Sequence, residues 1–206
     1  MPSGLLVVGS ANRKKALELA ELFGPLGVVV KSLADFPDRP QVAETGHTFA
    51  ENAALKACGL ALQLNHWVLA DDSGLCVDAL GGEPGVRSAR YSGPHATDAD
   101  NNRLLLDKLA GVPLEQRTAQ FVCAMALSDP TGQIRATAEA SCRGRIALAP
   151  RGNGGFGYDP LFEIVEYRRT FGELSPEVKA ILSHRARAAR LILSQVAWAM
   201  GLRPAL

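Results

Sequence analysis

One tetrapeptide, Asp129-Pro130-Thr131-Gly132, narrows the fold more than any other stretch of the chain. Asp first, Pro second and Gly last suit a type I turn. The tetrapeptide sits between two strand-like runs, Thr118–Leu127 and Gln133–Cys142, and together they predict a β-hairpin. Elsewhere strands and helices alternate. Leu5–Val8 is an apolar run stopped by Gly9-Ser10, after which Ala16, Leu19, Ala20 and Phe23 share one helical face. Val28–Val30 is β-branched and reads as a second strand. Thr48-Phe49-Ala50-Glu51 has the form of a capping box: Thr48 accepts the Glu51 amide and Glu51 reaches back. The helix it opens runs to about Leu64. Trp67–Ala70 is a buried-type strand ending in Asp71-Asp72-Ser73-Gly74, and Thr97–Leu109 is helical. Ser175-Pro176 supplies an N-cap and a first helical residue, and a last helix runs from about Ser183 to Met200. Interleaving alone would give a parallel sheet. The hairpin makes it mixed, so the expected fold is α/β, a mixed sheet flanked by helices. No repeat, low-complexity tract or long linker divides residues 1–206, and a single domain is expected.

A net charge of +1 gives no global field to gather nucleic acid, which speaks against an RNA- or DNA-binding module. Any anion must be caught locally. Cys58, Cys76, Cys123 and Cys142 form no CxxC and read as reduced thiols. Leu5-Leu6-Val7-Val8 is too short for a signal h-region or a membrane span. The expected setting is the cytoplasm, with no membrane partner.

Three places concentrate chemistry. Ser10-Ala11-Asn12-Arg13-Lys14-Lys15 joins the first strand to the first helix and crowds cations where the helix dipole favours negative charge. That arrangement is useful if an anion binds among the free amides; otherwise it is a solvated basic turn. It is neither a GxGxxG nor a Walker A loop. The second place is Asp71-Asp72. Ligands of α/β proteins gather outside the carboxyl ends of strands. Neighbouring strand side chains face opposite ways, so at most one of the pair aims at a given ligand. Such a carboxylate suits Mg²⁺, which takes oxygen ligands and substrate phosphates together; the alternative is an Asp-Ser-Gly turn. Glu44 is a second metal-facing carboxylate or a solvated loop residue, and Asn52 and Lys56 share a helical face. Third, Lys179 with Ser183-His184-Arg185 forms a modest anion or base-edge site. No Cys/His metal cluster and no nucleophile–base pair follows from spacing.

Taken together, these stretches resemble the inosine triphosphate pyrophosphatase family, the Ham1-like purine nucleotide hydrolases. The resemblance runs through Ser10–Lys15, Glu44-Thr45-Gly46, Thr48–Ala53, Lys56-Ala57, Asp71–Leu75, Val77–Leu80, Pro84-Gly85-Val86, Ser88–Tyr91, Gly154–Pro160 and Ser183-His184-Arg185. Each motif is weak alone; their order and number are specific. The resemblance implies a homodimer with an elongated mixed sheet and two lobes around a central cleft. It implies Mg²⁺-dependent cleavage of ITP, dITP, XTP and dXTP to the monophosphate and pyrophosphate. On that carry-over the Ser10, Ala11, Asn12, Arg13, Lys14, Lys15 loop and Lys56 hold the triphosphate. Asp72 is metal ligand or proton acceptor, Ser73 touches substrate, and Glu44 assists the metal. Phe156, Gly157, Tyr158, Asp159, Lys179, His184 and Arg185 line the nucleoside end. Phe156 or Tyr158 would stack on the purine, on a glycine run pliable enough to approach it. Ala11 stands where the family often has Gly, which narrows the loop's backbone freedom. Leu182 in place of the family's frequent Ile changes nothing. Competing readings are a Maf-type pyrophosphatase with another base preference and a nucleotide sensor without turnover.

Overall fold

The computed structural model describes residues 4–37 and 40–202; within these, the side chains of Lys14 and Glu18 lie outside the description. The main elements are β1 (Leu5–Val8), α1 (Arg13–Phe23), β2 (Val29–Ser32), α2 (Phe49–Leu64), β3 (Trp67–Val77), α3 (Asp98–Lys108), β4 (Thr118–Ser128), β5 (Ile134–Ile146), β6 (Phe162–Ile164), β7 (Arg169–Thr170), α4 (Pro176–Leu182) and α5 (His184–Ala199). Seven strands form one sheet in the order β2-β1-β3-β4-β5-β6-β7. β1 runs parallel to β2 and β3, while β6 is antiparallel to β5 and β7. The sheet is therefore mixed, as expected.

The hairpin holds where the turn residues place it. β4 and β5 are neighbours joined by residues 129–133, too short for a parallel crossover. The Gly132 amide donates to the Asp129 carbonyl at 3.0 Å. The Asp129 carboxylate accepts from the Thr131 amide at 2.8 Å and from the Gln133 amide at 3.2 Å.

Two local expectations change. β3 does not stop at Ala70 but continues to Val77, so Asp71 and Asp72 lie within a strand rather than beyond its end. That also removes the Asp-Ser-Gly turn. The box at α2 is half closed: the Thr48 hydroxyl accepts from the Glu51 amide at 3.1 Å, but the Glu51 carboxylate takes the His47 amide, at 2.7 Å.

The chain divides into two compact units. The first holds the described residues through Asp72, Cys123–Ala140 and those from Arg185 onward. Its core sets Leu6 and Val8 of β1 and Leu69 of β3 against Leu19 and Phe23 of α1 and Ile192 and Val196 of α5. The second unit holds Ser73–Val122 and Ser141–His184. It packs Leu75, Leu105, Phe121, Phe162 and Phe171.

Candidate active site

In the first unit, two adjacent carboxylates of β3 meet different partners, as strand alternation requires. Asp71 Oδ2 takes Lys15 Nζ of α1 at 3.0 Å and Arg185 Nε of α5 at 3.3 Å. Burial opposes ionisation of Asp71, but the two cations and the Lys15 hydrogen bond outweigh it and hold the carboxyl well below the usual range. Asp72 faces α2. Its Oδ2 accepts from Asn52 Nδ2 at 3.1 Å, and its Oδ1 from Lys56 Nζ at 3.3 Å. Burial pushes the Asp72 carboxyl up despite Lys56 and Asn52, with Glu44 adding in the same direction. The neighbours therefore differ in environment: Asp71 is held between two cations, whereas Asp72 meets one cation and a neutral amide.

Asn52 is fully buried, and the loop before α2 fixes its amide: the Gly46 amide donates to Asn52 Oδ1 at 2.8 Å, which turns Nδ2 toward Asp72. Gly46 has no substitute there. A Cβ would lie 2.7 Å from Glu51 Cβ and 2.8 Å from Asn52 Oδ1. Glu44, two residues earlier, places Oε1 3.2 Å from Lys56 Nζ. One ammonium thus sits between the Glu44 and Asp72 carboxylates. Burial lowers the Lys56 pKa, but Asp72 and Glu44 more than reverse that and raise it. Two carboxylate oxygens converging on one cationic group is a donor set that fits Mg²⁺, which is commonly held by one or two carboxylates plus substrate phosphates. Among the described residues, no group of three or more His, Cys, Asp or Glu converges to form an all-protein metal cage.

The basic loop leads into α1. Ser10 Oγ accepts from the Asn12 amide at 3.2 Å, and the Asn12 carbonyl takes the Ala16 amide at 3.2 Å. Ala11, Asn12 and Arg13 are exposed. The Lys14 side chain lies outside the described ones.

In the second unit, the glycine run presents Phe156, half buried, and folds its neighbours inward. Tyr158 is 5% exposed, and its hydroxyl donates to the Ser88 carbonyl at 2.8 Å. Its ring belongs to the core, which leaves Phe156 as the aromatic face of the loop. Asp159 is buried and already committed: Oδ2 accepts from the Phe156 amide at 2.8 Å and from Lys179 Nζ. A Cβ at Gly155, whose φ is +78°, would lie 2.0 Å from that oxygen. Lys179 belongs to α4, with Nζ 4.9 Å from the Phe156 ring centroid. His184, the first residue of α5, is buried and stacks on Phe121 with centroids 4.8 Å apart.

Glu44, Lys56 and Asp72 thus form one cluster in the first unit, and Lys15 and Arg185 meet on Asp71. Phe156, Asp159 and Lys179 form another cluster in the second unit. Arg185, expected at a base edge, has its Nε on Asp71. Asn52, read from the sequence only as sharing a helical face with Lys56, lies on Asp72. Its position one turn before Lys56 puts it on the face that Asp72 meets.

Residues 6–195 match the model of the Ham1 family. A dITP/XTP pyrophosphatase of Geobacillus kaustophilus (strain HTA426) is 57% identical over 89% of each chain. A dITP/XTP pyrophosphatase of Rhodopirellula baltica is 50% identical over 93% of this chain and 92% of that one. Among solved structures, the Staphylococcus aureus Ham1 protein superposes with a TM-score of 0.85 at 38% identity, covering 95% of this chain and 99% of that one. A dITP/XTP pyrophosphatase from Mycobacterium abscessus gives 0.75 at 45% identity, over 92% and 98%. No helix among the described residues is long and apolar enough to cross a membrane.

Proposed function

The chain belongs to the Ham1 family, and on that premise we propose that it hydrolyses deaminated purine nucleoside triphosphates, ITP, dITP, XTP and dXTP, to the monophosphate and pyrophosphate. The observation that carries the reading is the arrangement on β3: ionised Asp71 between Lys15 and Arg185, and Asp72 held by Asn52 and by Lys56, which also meets Glu44. Water adds to the α-phosphorus, the bond from that phosphorus to the bridging oxygen breaks, and pyrophosphate leaves. Asp72 accepts the proton of the attacking water or holds the metal; Asn52 and Lys56 orient its two oxygens. Glu44 and Asp72 would hold Mg²⁺, which when bound supplies charge neutralisation on the phosphate oxygens. Ser10, Asn12, Lys15 and Lys56 engage the triphosphate, and Ser73 touches the substrate. Phe156 supplies the stacking face at the nucleoside end, and Asp159, Lys179, His184 and Arg185 are assigned to recognition of the nucleoside. The working form in this reading is a cytoplasmic homodimer.

Base choice follows from hydrogen-bond sign. Hypoxanthine and xanthine carry an oxygen at C6, where adenine carries an amino group. Arg offers only donors, so an adenine amino group would leave a buried donor unpaired at ~1–3 kcal/mol, roughly 5- to 150-fold. Guanine keeps the 6-oxo group and satisfies the same donors. The test is kcat/KM for ITP, dITP and XTP against ATP with Mg²⁺ present. The deaminated substrates should lead by about 100-fold or more. Equal values for ITP and ATP would sink the donor model, and preferential turnover of modified pyrimidines would favour the Maf-type alternative.

A further inference from the structure

The second unit carries a device that neither the phosphate chemistry nor the base-edge donors use. Gly157 sits at the tip of the aromatic loop, between Phe156 and Tyr158, with φ +60°. Both of its backbone polar groups are held by one helix. The Gly157 amide donates to Asp98 Oδ2 at 2.7 Å, and the Gly157 carbonyl accepts from Asn102 Nδ2 at 3.0 Å. Asp98 and Asn102 are four apart on α3, so their side chains project from one face and reach the same peptide unit together. α3 is itself firmly started: Thr97 and Asp100 form a closed capping box.

Packing alone does not explain the hold. Between α3 and the loop lies a cavity of about 440 Å³, bordered by Asn102, Arg103 and Leu106 on one side and by Pro150, Asn153 and Pro160 on the other. Beside that space, two hydrogen bonds tie Gly157, which brings no side chain of its own, to the helix. The loop is otherwise anchored on either side of the tip, by Asp159 accepting from the Phe156 amide and by the Tyr158 hydroxyl on Ser88. The Asp159 amide also donates to the Phe156 carbonyl at 3.2 Å, while the Gly157 amide and carbonyl themselves are met from α3. A residue with positive φ and no side chain is the natural swivel of such a loop, and a rotation there would re-aim the Phe156 ring.

We propose that Asp98 and Asn102 are positioning residues that clamp Gly157 and so set the stacking angle of Phe156 on the purine. The inference rests on the reading of Phe156 as the stacking face. Asp98 is exposed and Asn102 only half buried, so substitution at either leaves the core intact.

The experiment has two arms. Amide hydrogen exchange on the ligand-free protein reads the clamp without reference to activity. Asp98→Ala should speed exchange at Gly157 about fivefold or more, the equivalent of ~1 kcal/mol for one lost hydrogen bond. Exchange at Leu75 and Phe121 should not change, and Asp98→Asn, which keeps an acceptor oxygen, should restore protection. Kinetics forms the second arm. Asp98→Ala and Asn102→Ala should each raise KM for ITP several-fold, leave kcat within about twofold, and narrow the ITP/ATP ratio, with Asp98→Asn close to the parent. Unchanged exchange at Gly157 would overturn the clamp. Faster exchange with an unchanged KM and ITP/ATP ratio would overturn its role in recognition. A uniform fall in kcat with a lower Tm would mark a purely structural role and overturn it as well. If the parent protein itself shows no preference for ITP, the base-recognition reading fails instead, and the exchange result still stands on its own.

Discussion

Two identical side chains, adjacent on β3, stand in opposite surroundings. Asp71, with its side chain 1% exposed, is flanked by Arg185 at 3% and Lys15 at 19%. Removing its charge leaves cations without their counter-ion in a dry environment, a change of about 3–5 kcal/mol for a broken buried pair. Asp71→Asn should therefore lower Tm markedly. Asp72→Asn removes a charge that burial already disfavours. It should shift stability by less than about 1 kcal/mol while cutting kcat by ~10²–10⁴-fold, the usual worth of a general base. Thermal melts and kcat measured on both variants check this; turnover of Asp72→Asn within about threefold of the parent would clear it of the role. The pH dependence separates the pair further. Asp71 has a depressed folded pKa, so its stabilisation is complete above the unfolded value of about 3.9 and is lost as pH falls below it. Asp72 has a raised folded pKa, so its protonated form favours the folded state, and that contribution is lost as pH rises through the raised value. Activity that needs Asp72 ionised should fall on the acid side at a pH above the ordinary Asp value of about 3.9. A kcat/KM profile flat down to about pH 4 would contradict that.

Among the elements, β3 shows how far local pattern reaches and where it stops. Trp67–Ala70 was legible as a strand because four apolar residues in a row are hard to place otherwise. The extension to Val77 was not, because Asp-Asp-Ser-Gly reads as a turn when the partners of its charges are unknown. Lys15, Arg185, Asn52 and Lys56 let the strand carry two carboxylates through a buried stretch. These partners come from α1, α5 and α2, none of which local spacing could bring to β3. The hairpin, by contrast, is set by residues adjacent in sequence and was fully legible, as was the Thr48 cap. Lys15 is a second case. Alone, a lysine in the first turn of α1 opposes the helix dipole, and its removal would relieve the fold. Paired with Asp71 it is stabilising, so Lys15→Ala should lower Tm as well as raise KM and weaken its salt dependence. A raised Tm would restore the solvated-turn account. The loop before α2 makes a sharper demand. Gly46→Ala forces a Cβ into Glu51 and Asn52, at roughly 1–3 kcal/mol of overpacking. By disturbing the bond that aims Asn52 at Asp72, it should reduce kcat more than it raises KM. Steady-state kinetics beside a thermal melt decide it; a loss confined to Tm would remove Asn52 from the alignment of Asp72.

At the scale of the whole molecule, the chain passes between its units within β3, β4 and β5 and at the start of α5. The groups proposed to engage the triphosphate, Ser10, Asn12, Lys15 and Lys56, belong to the first unit, and Phe156, Asp159 and Lys179 to the second. Sequence order alone scatters them from residue 10 to residue 185. The order of many weak motifs points to the family, while candidate roles separate only with the partners of each side chain: Phe156 and Tyr158 are equal as stacking rings by sequence, but the Tyr158 hydroxyl is held on Ser88. With a net charge of only +1, substrate capture must rest on these local groups rather than on a long-range field. The most direct check is the identity of the phosphorus products when purified protein turns over ITP with Mg²⁺, followed by ³¹P NMR. IMP and pyrophosphate should appear together in equal amounts, with no IDP at any time. Orthophosphate release with accumulating IDP would contradict it.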